Sequence, residues 1–166
     1  MFLATLSAGS LGLAACATTV PVAGAPTTDA AVTTSGGARW SARIASVTQN
    51  RGDVAQSTRD NSYGSAEWTR ADVPTLSKFD VVFTYAGTER DLAWAVLAGS
   101  CGTAALPVIP LANFPELNVG GGSRAQVSAS LPIDMPATGA YHIDIYKDNS
   151  GDPQSLVGCG DFRYRR

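Results

Sequence analysis

The chain has 166 residues, 12 basic and 14 acidic side chains for a net charge of -2, 45% apolar residues and a single histidine. That balance gives no basic face for nucleic acid and no acidic tail, and one imidazole cannot serve a centre that needs several. Three cysteines would leave an odd thiol in an oxidising compartment, so one of them needs a separate role.

In chain order, Phe2 to Leu13 is apolar and closes on Leu13-Ala14-Ala15-Cys16. The segment is about half the roughly 20 apolar residues that cross a bilayer, and small residues precede its cysteine, which is the layout of a processed export signal. The block resembles the lipobox of bacterial lipoproteins. That resemblance implies cleavage before Cys16, a diacylglycerol on its sulfur and a further acyl chain on the new amino terminus, an anchor that holds firmly. Membrane lipid is thus the expected partner of Cys16. One departure is that no Lys or Arg precedes Cys16, the first basic residue being Arg39. Ala17 in place of Asp after Cys16 implies, in a Gram-negative host, export to the outer membrane, facing the periplasm or the surface.

Residues 17–37 are nearly all Ala, Thr, Val, Pro and Gly, with Asp29 the only charge, and cannot build a core. They read as a flexible tether spanning about 25 Å by the random-coil rule. Residues 38–166 have the length of one domain with a real core. Arg51-Gly52-Asp53 matches an integrin-binding tripeptide, but Gln49-Asn50 and Gly52 around it spell a turn.

Period-two patterning dominates this domain. Trp40, Ala42 and Ile44 alternate with Arg39, Ser41 and Arg43; Phe79, Val81, Phe83 and Tyr85 alternate with Asp80 and Thr84; Ala125, Val127, Ala129 and Leu131 alternate with Arg124, Gln126, Ser128 and Ser130, and Tyr141, Ile143 and Ile145 with His142, Asp144 and Tyr146. Less regular strands are expected near Ser62 to Arg70, Asp91 to Ala98, Val108 to Leu111 and Ser155 to Phe162. Glycine and proline punctuate them, including a Gly120-Gly121-Gly122 bend. About eight short strands with no helical stripe predict an all-β fold, a Greek-key antiparallel β-sandwich. Trp40, Trp68 and Trp94 are assigned to its core; an exposed Trp68 or Tyr146 beside another ring would instead mark a carbohydrate or peptide surface. The Arg163-Tyr164-Arg165-Arg166 end reads as a solubilising tail.

With Cys16 acylated, only Cys101 and Cys159 remain to pair, and a disulfide between them is expected. The glycines on either side of both cysteines suit close backbone approach. A redox or metal-binding pair would call for C-x-x-C spacing and a companion histidine, both missing.

The order Leu92-Ala93-Trp94-Ala95-Val96-Leu97, Gly99-Ser100-Cys101-Gly102, Tyr141 to Lys147 and Leu156-Val157-Gly158-Cys159-Gly160-Asp161-Phe162 resembles copper/zinc superoxide dismutases and their chordin-like relatives, as found in bacterial lipoproteins. The resemblance implies a sandwich braced by a bridge from a loop to the last strand. It also implies histidine ligands where this chain has Ala95, Leu97 and Tyr146, so the metal ligands of that family are lost and superoxide dismutation is not expected. His142, Asp144 and Tyr146 share one face of a strand at about 7 Å intervals, which makes them weak candidates for an N/O metal site. A solvent-facing polar stripe explains the same three residues with less. No G-x-S-x-G elbow or phosphate loop is present, and Asp148, Asn149 and Asp152 fit a polar loop rather than an EF-hand.

The expectation is a membrane-tethered envelope lipoprotein without catalytic residues or cofactor, acting as a binding or structural module whose further partner is an envelope protein or glycan, with no nucleic acid. The alternative is a metal-binding protein or divergent enzyme on a superoxide dismutase-like scaffold.

Overall fold

The computed structural model describes residues 37–47 and 62–166. The signal, Cys16, the tether and Arg51-Gly52-Asp53 lie outside the described residues.

Eight strands form: β1 (Arg39–Ser46), β2 (Tyr63–Arg70), β3 (Ser77–Thr84), β4 (Asp91–Ala98), β5 (Leu117–Asn118), β6 (Arg124–Leu131), β7 (Tyr141–Tyr146) and β8 (Leu156–Arg165). They make one antiparallel sheet in the order β5-β4-β7-β8-β1-β2-β3-β6. Its two ends meet where Val119 bridges Ala125 and the Gly120 amide donates to the Arg124 carbonyl, so the sheet nearly closes into a flattened sandwich. Strands β4, β5 and β6 run consecutively with β7 beside β4, a Greek key. The expected all-β class and strand number stand.

Alternation places the core. Register sets Tyr164, Trp40, Trp68 and Phe79 in one inward row across β8, β1, β2 and β3. Tyr141 of β7 meets Trp40 and Trp68 edge-on at 5.6 and 5.4 Å, and Trp94 of β4 meets Phe79 at 5.8 Å and Phe114 at 4.9 Å. Each such pair adds about 0.5–1.5 kcal/mol beyond the area it buries. The indoles of Trp40 and Trp94 donate to the carbonyls of Pro136 and Pro115. All three tryptophans are core residues, as their strand positions required. Trp68 and Tyr146 are both buried, so no exposed aromatic platform forms from them.

Two sequence expectations need correction. Val108 to Leu111 is not a strand. Pro107 bridges Leu97 and the Val108 amide donates to Val96, but a 3-10 turn at Leu111–Asn113 follows at once. Prolines at 107 and 110 lack the donors a ladder needs. Nor is the arginine-rich end a tail, because β8 runs through Arg165, pairing Arg163 with Ser41 and Arg165 with Arg39. The inward Phe162 and Tyr164 extend the alternation and carry the arginines outward with them.

Candidate functional site

On β7, the residues pointing away from the core are His142, Asp144 and Tyr146. Opposite them stand Leu97, Ala95 and Ala93 on β4, while β8 sets Asp161 beside His142 and Cys159 beside Asp144. These outward side chains are not a solvent-facing stripe: His142 is 1% exposed, Asp144 8% and Tyr146 5%. The cause is the long connection between β4 and β5, which lies over this face as a roof. The Cys101–Cys159 disulfide ties the roof to β8, with Cα atoms 5.9 Å apart and 58 residues between the two cysteines. The Cys101 amide also donates to Asp161 Oδ1 at 2.8 Å.

Two glycines shape the ground around the bridge and the imidazole. Gly99 has φ of +93° and turns the chain out of β4 so that its carbonyl faces the imidazole. A Cβ on Gly160 would lie 2.5 Å from the Arg43 carbonyl oxygen, so β8 can approach β1 beside the bridge only with glycine there.

Under the roof, His142 Nδ1 lies 3.0 Å from the Gly99 carbonyl. A carbonyl can only accept, so Nδ1 carries a hydrogen and Nε2 is the nitrogen facing Asp144 Oδ2 at 3.7 Å. Tyr146 donates its hydroxyl to the same Oδ2 at 3.0 Å. Asp144 Oδ1 is buried with no hydrogen-bond partner, as is the Trp68 indole nitrogen. Burial works against a charged imidazole, but Asp144, the Gly99 carbonyl and the charge of Asp161 outweigh it and raise the His142 pKa. Burial, then the Asp144 charge and hydrogen bond, push the Tyr146 hydroxyl far above the usual phenol range, so it acts as a neutral donor.

The fit to a copper centre of the dismutase kind fails on the residues themselves. His142 is the chain's one histidine, and the β4 positions facing the cluster are Leu97, Ala95 and Ala93. A cage of several imidazoles has no residues to build it. What the structure brings together is a different group: ligand atoms of His142, Asp144 and Cys159 all lie within 4.8 Å of one another. The sequence showed the common parity of His142 and Asp144; only the β7–β8 register places Cys159 with them.

Open grooves lie outside the roof. A groove of about 640 Å³ crosses the outer face of β8, β1, β2 and β3, where Arg43, Arg163 and Arg165 mingle with Glu67, Asp80 and Asp161. Arg165 donates to Ser41 Oγ, and Lys78 pairs with Asp80 at 3.0 Å. At the roof's edge a cleft of about 530 Å³ has apolar walls, among them Leu97, Leu106, Val108 and Tyr146. The Asp148 to Asp152 segment is the expected polar loop, Asp148 accepting from Ser150 and Asp152 capping a 3-10 turn through the Gln154 amide.

The chain matches no protein-family model, no curated protein and no solved structure. Among the described residues no helix is long and apolar enough to cross a membrane.

Proposed function

We propose that the protein is an exported bacterial lipoprotein, anchored through acylated Cys16, whose sandwich domain acts as a non-enzymatic binding or structural module of the cell envelope. The ancestry that fits is a superoxide dismutase-like or chordin-like sandwich that has lost its metal ligands. The carrying observation is the contrast in access between the polar groups. The one histidine and its carboxylate partner are sealed under the roof, where a substrate cannot reach them, while the arginines of β1 and β8 line an open groove. Guanidinium groups form bidentate hydrogen bonds to carboxylates and phosphates, and Glu67, Asp80 and Asp161 stand among them, so a segment of an envelope protein bearing both signs of charge, or a polar glycan, fits that face.

The test is capture from envelope extracts by the purified domain, comparing the native protein with an Arg43→Glu/Arg163→Glu variant. Retention by the native protein that falls on charge reversal and in high salt is the expected result. Retention no greater than that of a denatured control sinks the reading. A superoxide assay after copper and zinc loading is expected to give no activity; turnover would favour a divergent enzyme.

A further inference from the structure

We propose that reducing the Cys101–Cys159 disulfide turns the polar cluster under the roof into a zinc site, with Cys159 Sγ, His142 Nε2, the Asp144 carboxylate and Cys101 Sγ as ligands. The inference concerns a site apart from the groove and does not depend on the binding-module reading.

The geometry of acceptors carries it. His142 donates from Nδ1 to the Gly99 carbonyl, which is the outer-shell hydrogen bond that fixes a metal-ligating imidazole with its other nitrogen turned to the metal. That other nitrogen faces a carboxylate oxygen across 3.7 Å, while the second carboxylate oxygen is buried without a donor. A buried oxygen of this kind is costly unless something positive meets it. Cys159 stands directly across the β7–β8 ladder from Asp144, and its sulfur closes the group. Tetrahedral zinc, with bonds of about 2.0–2.3 Å, needs ligand atoms roughly 3.4–3.8 Å apart, so the present spacing within 4.8 Å must contract by only about 1 Å. The fourth ligand is at hand, since Cys101 Sγ begins bonded to Cys159.

In the oxidised protein the cystine sulfurs are not thiolates and the cluster is a poor metal site. A dithiol reductant changes that. Cys101 is the more exposed partner and Cys159 is buried, so attack falls on Cys101 Sγ and expels Cys159 as the thiolate. The reductant's second thiol then displaces Cys101 from the mixed disulfide. Two electrons pass to the protein's sulfurs and the reductant leaves as its own disulfide. Zinc binding displaces the remaining thiol proton and any proton on His142 Nε2 to solvent.

The experiment uses the full chain with Cys16→Ser, so that thiols report only the pair, reduced with a phosphine and titrated with cobalt(II) and then zinc(II). One cobalt per chain with sulfur-to-metal charge-transfer and tetrahedral visible bands, displaced by zinc, is expected after reduction and not before. His142→Gln and Asp144→Asn are each expected to weaken zinc binding to the reduced protein by at least about tenfold. Circular dichroism is recorded alongside. Should reduction unfold the chain, stoichiometric zinc is expected to restore it, because a ligand of the native state stabilises that state. The Cys101→Ser chain, whose Cys159 thiol is free without reductant, is expected to bind one zinc more weakly. The proposal is overturned if the folded reduced chain takes up no stoichiometric zinc, if both β7 variants bind as well as the parent, or if zinc neither restores a reduced, unfolded chain nor binds Cys101→Ser.

Discussion

The outward faces of β7 and β1 share the same period-two alternation and meet opposite environments. Ser41 and Arg43 look into an open groove, whereas His142, Asp144 and Tyr146 are buried beneath the β4–β5 connection. The difference lies in how the strands are connected, since among the described residues a long loop stapled to β8 supplies a third layer over the β7 half of the sandwich. A polar outward residue is therefore a solvated group on one half and a desolvated one on the other.

The sharpest way to break this comparison is to place the same lysine at outward positions of both halves. Ala95→Lys forces a long side chain into filled space under the roof and desolvates its charge, with Asp144 across the ladder offsetting only part of the cost, and is expected to lose about 3 kcal/mol or more of stability. Ser65→Lys, on the exposed face of β2, is expected to stay within about 0.5 kcal/mol of the parent. Equal losses would mean that the two faces do not differ.

Next in size is the staple itself. Closing a loop across 58 residues of separation is worth about 4 kcal/mol in the chain-entropy account, so Cys101→Ala/Cys159→Ala without added metal should shift the denaturation midpoint accordingly. Tyr146→Phe removes the one hydroxyl that satisfies Asp144 Oδ2, and an expected loss of about 1–3 kcal/mol sharpens the claim that this carboxylate is desolvated.

The smallest effect is in pH. The folded His142 pKa lies above its ordinary 6.5, so the protonated imidazole contributes stability that is fully present below that value. It is lost as pH rises through the higher folded value. The groups acting on the ring are Asp144 on its own strand, Asp161 on β8 and the Gly99 carbonyl at the end of β4. Denaturation midpoints of the oxidised protein measured from pH 6 upward should fall, and His142→Gln should flatten that part of the profile.

Much of the sandwich was legible because alternation is a local property. Trp40, Ala42 and Ile44, like Phe79, Val81 and Phe83, announce an inward face without reference to any other strand. The pairing of Cys101 with Cys159 follows from counting once Cys16 is set aside as the proposed anchor. The two-residue β5 was not legible, since Leu117–Asn118 is too short to show a period. The burial of His142 was hidden for a different reason: strand parity says only that a residue leaves the inner core, and a further layer depends on where a distant loop lies. Cys159 joined the cluster through cross-strand register, which a single sequence does not print.

The position of β1 has a mechanical consequence. It is flanked by β2 on one side and β8 on the other, and Arg39 already stands opposite both Thr69 and Arg165. Antiparallel ladder bonds lie perpendicular to the strands, so traction applied at Arg39 along β1 loads two ladders in shear at once rather than unzipping them bond by bond. The point where the proposed tether would deliver force is thus gripped on both flanks.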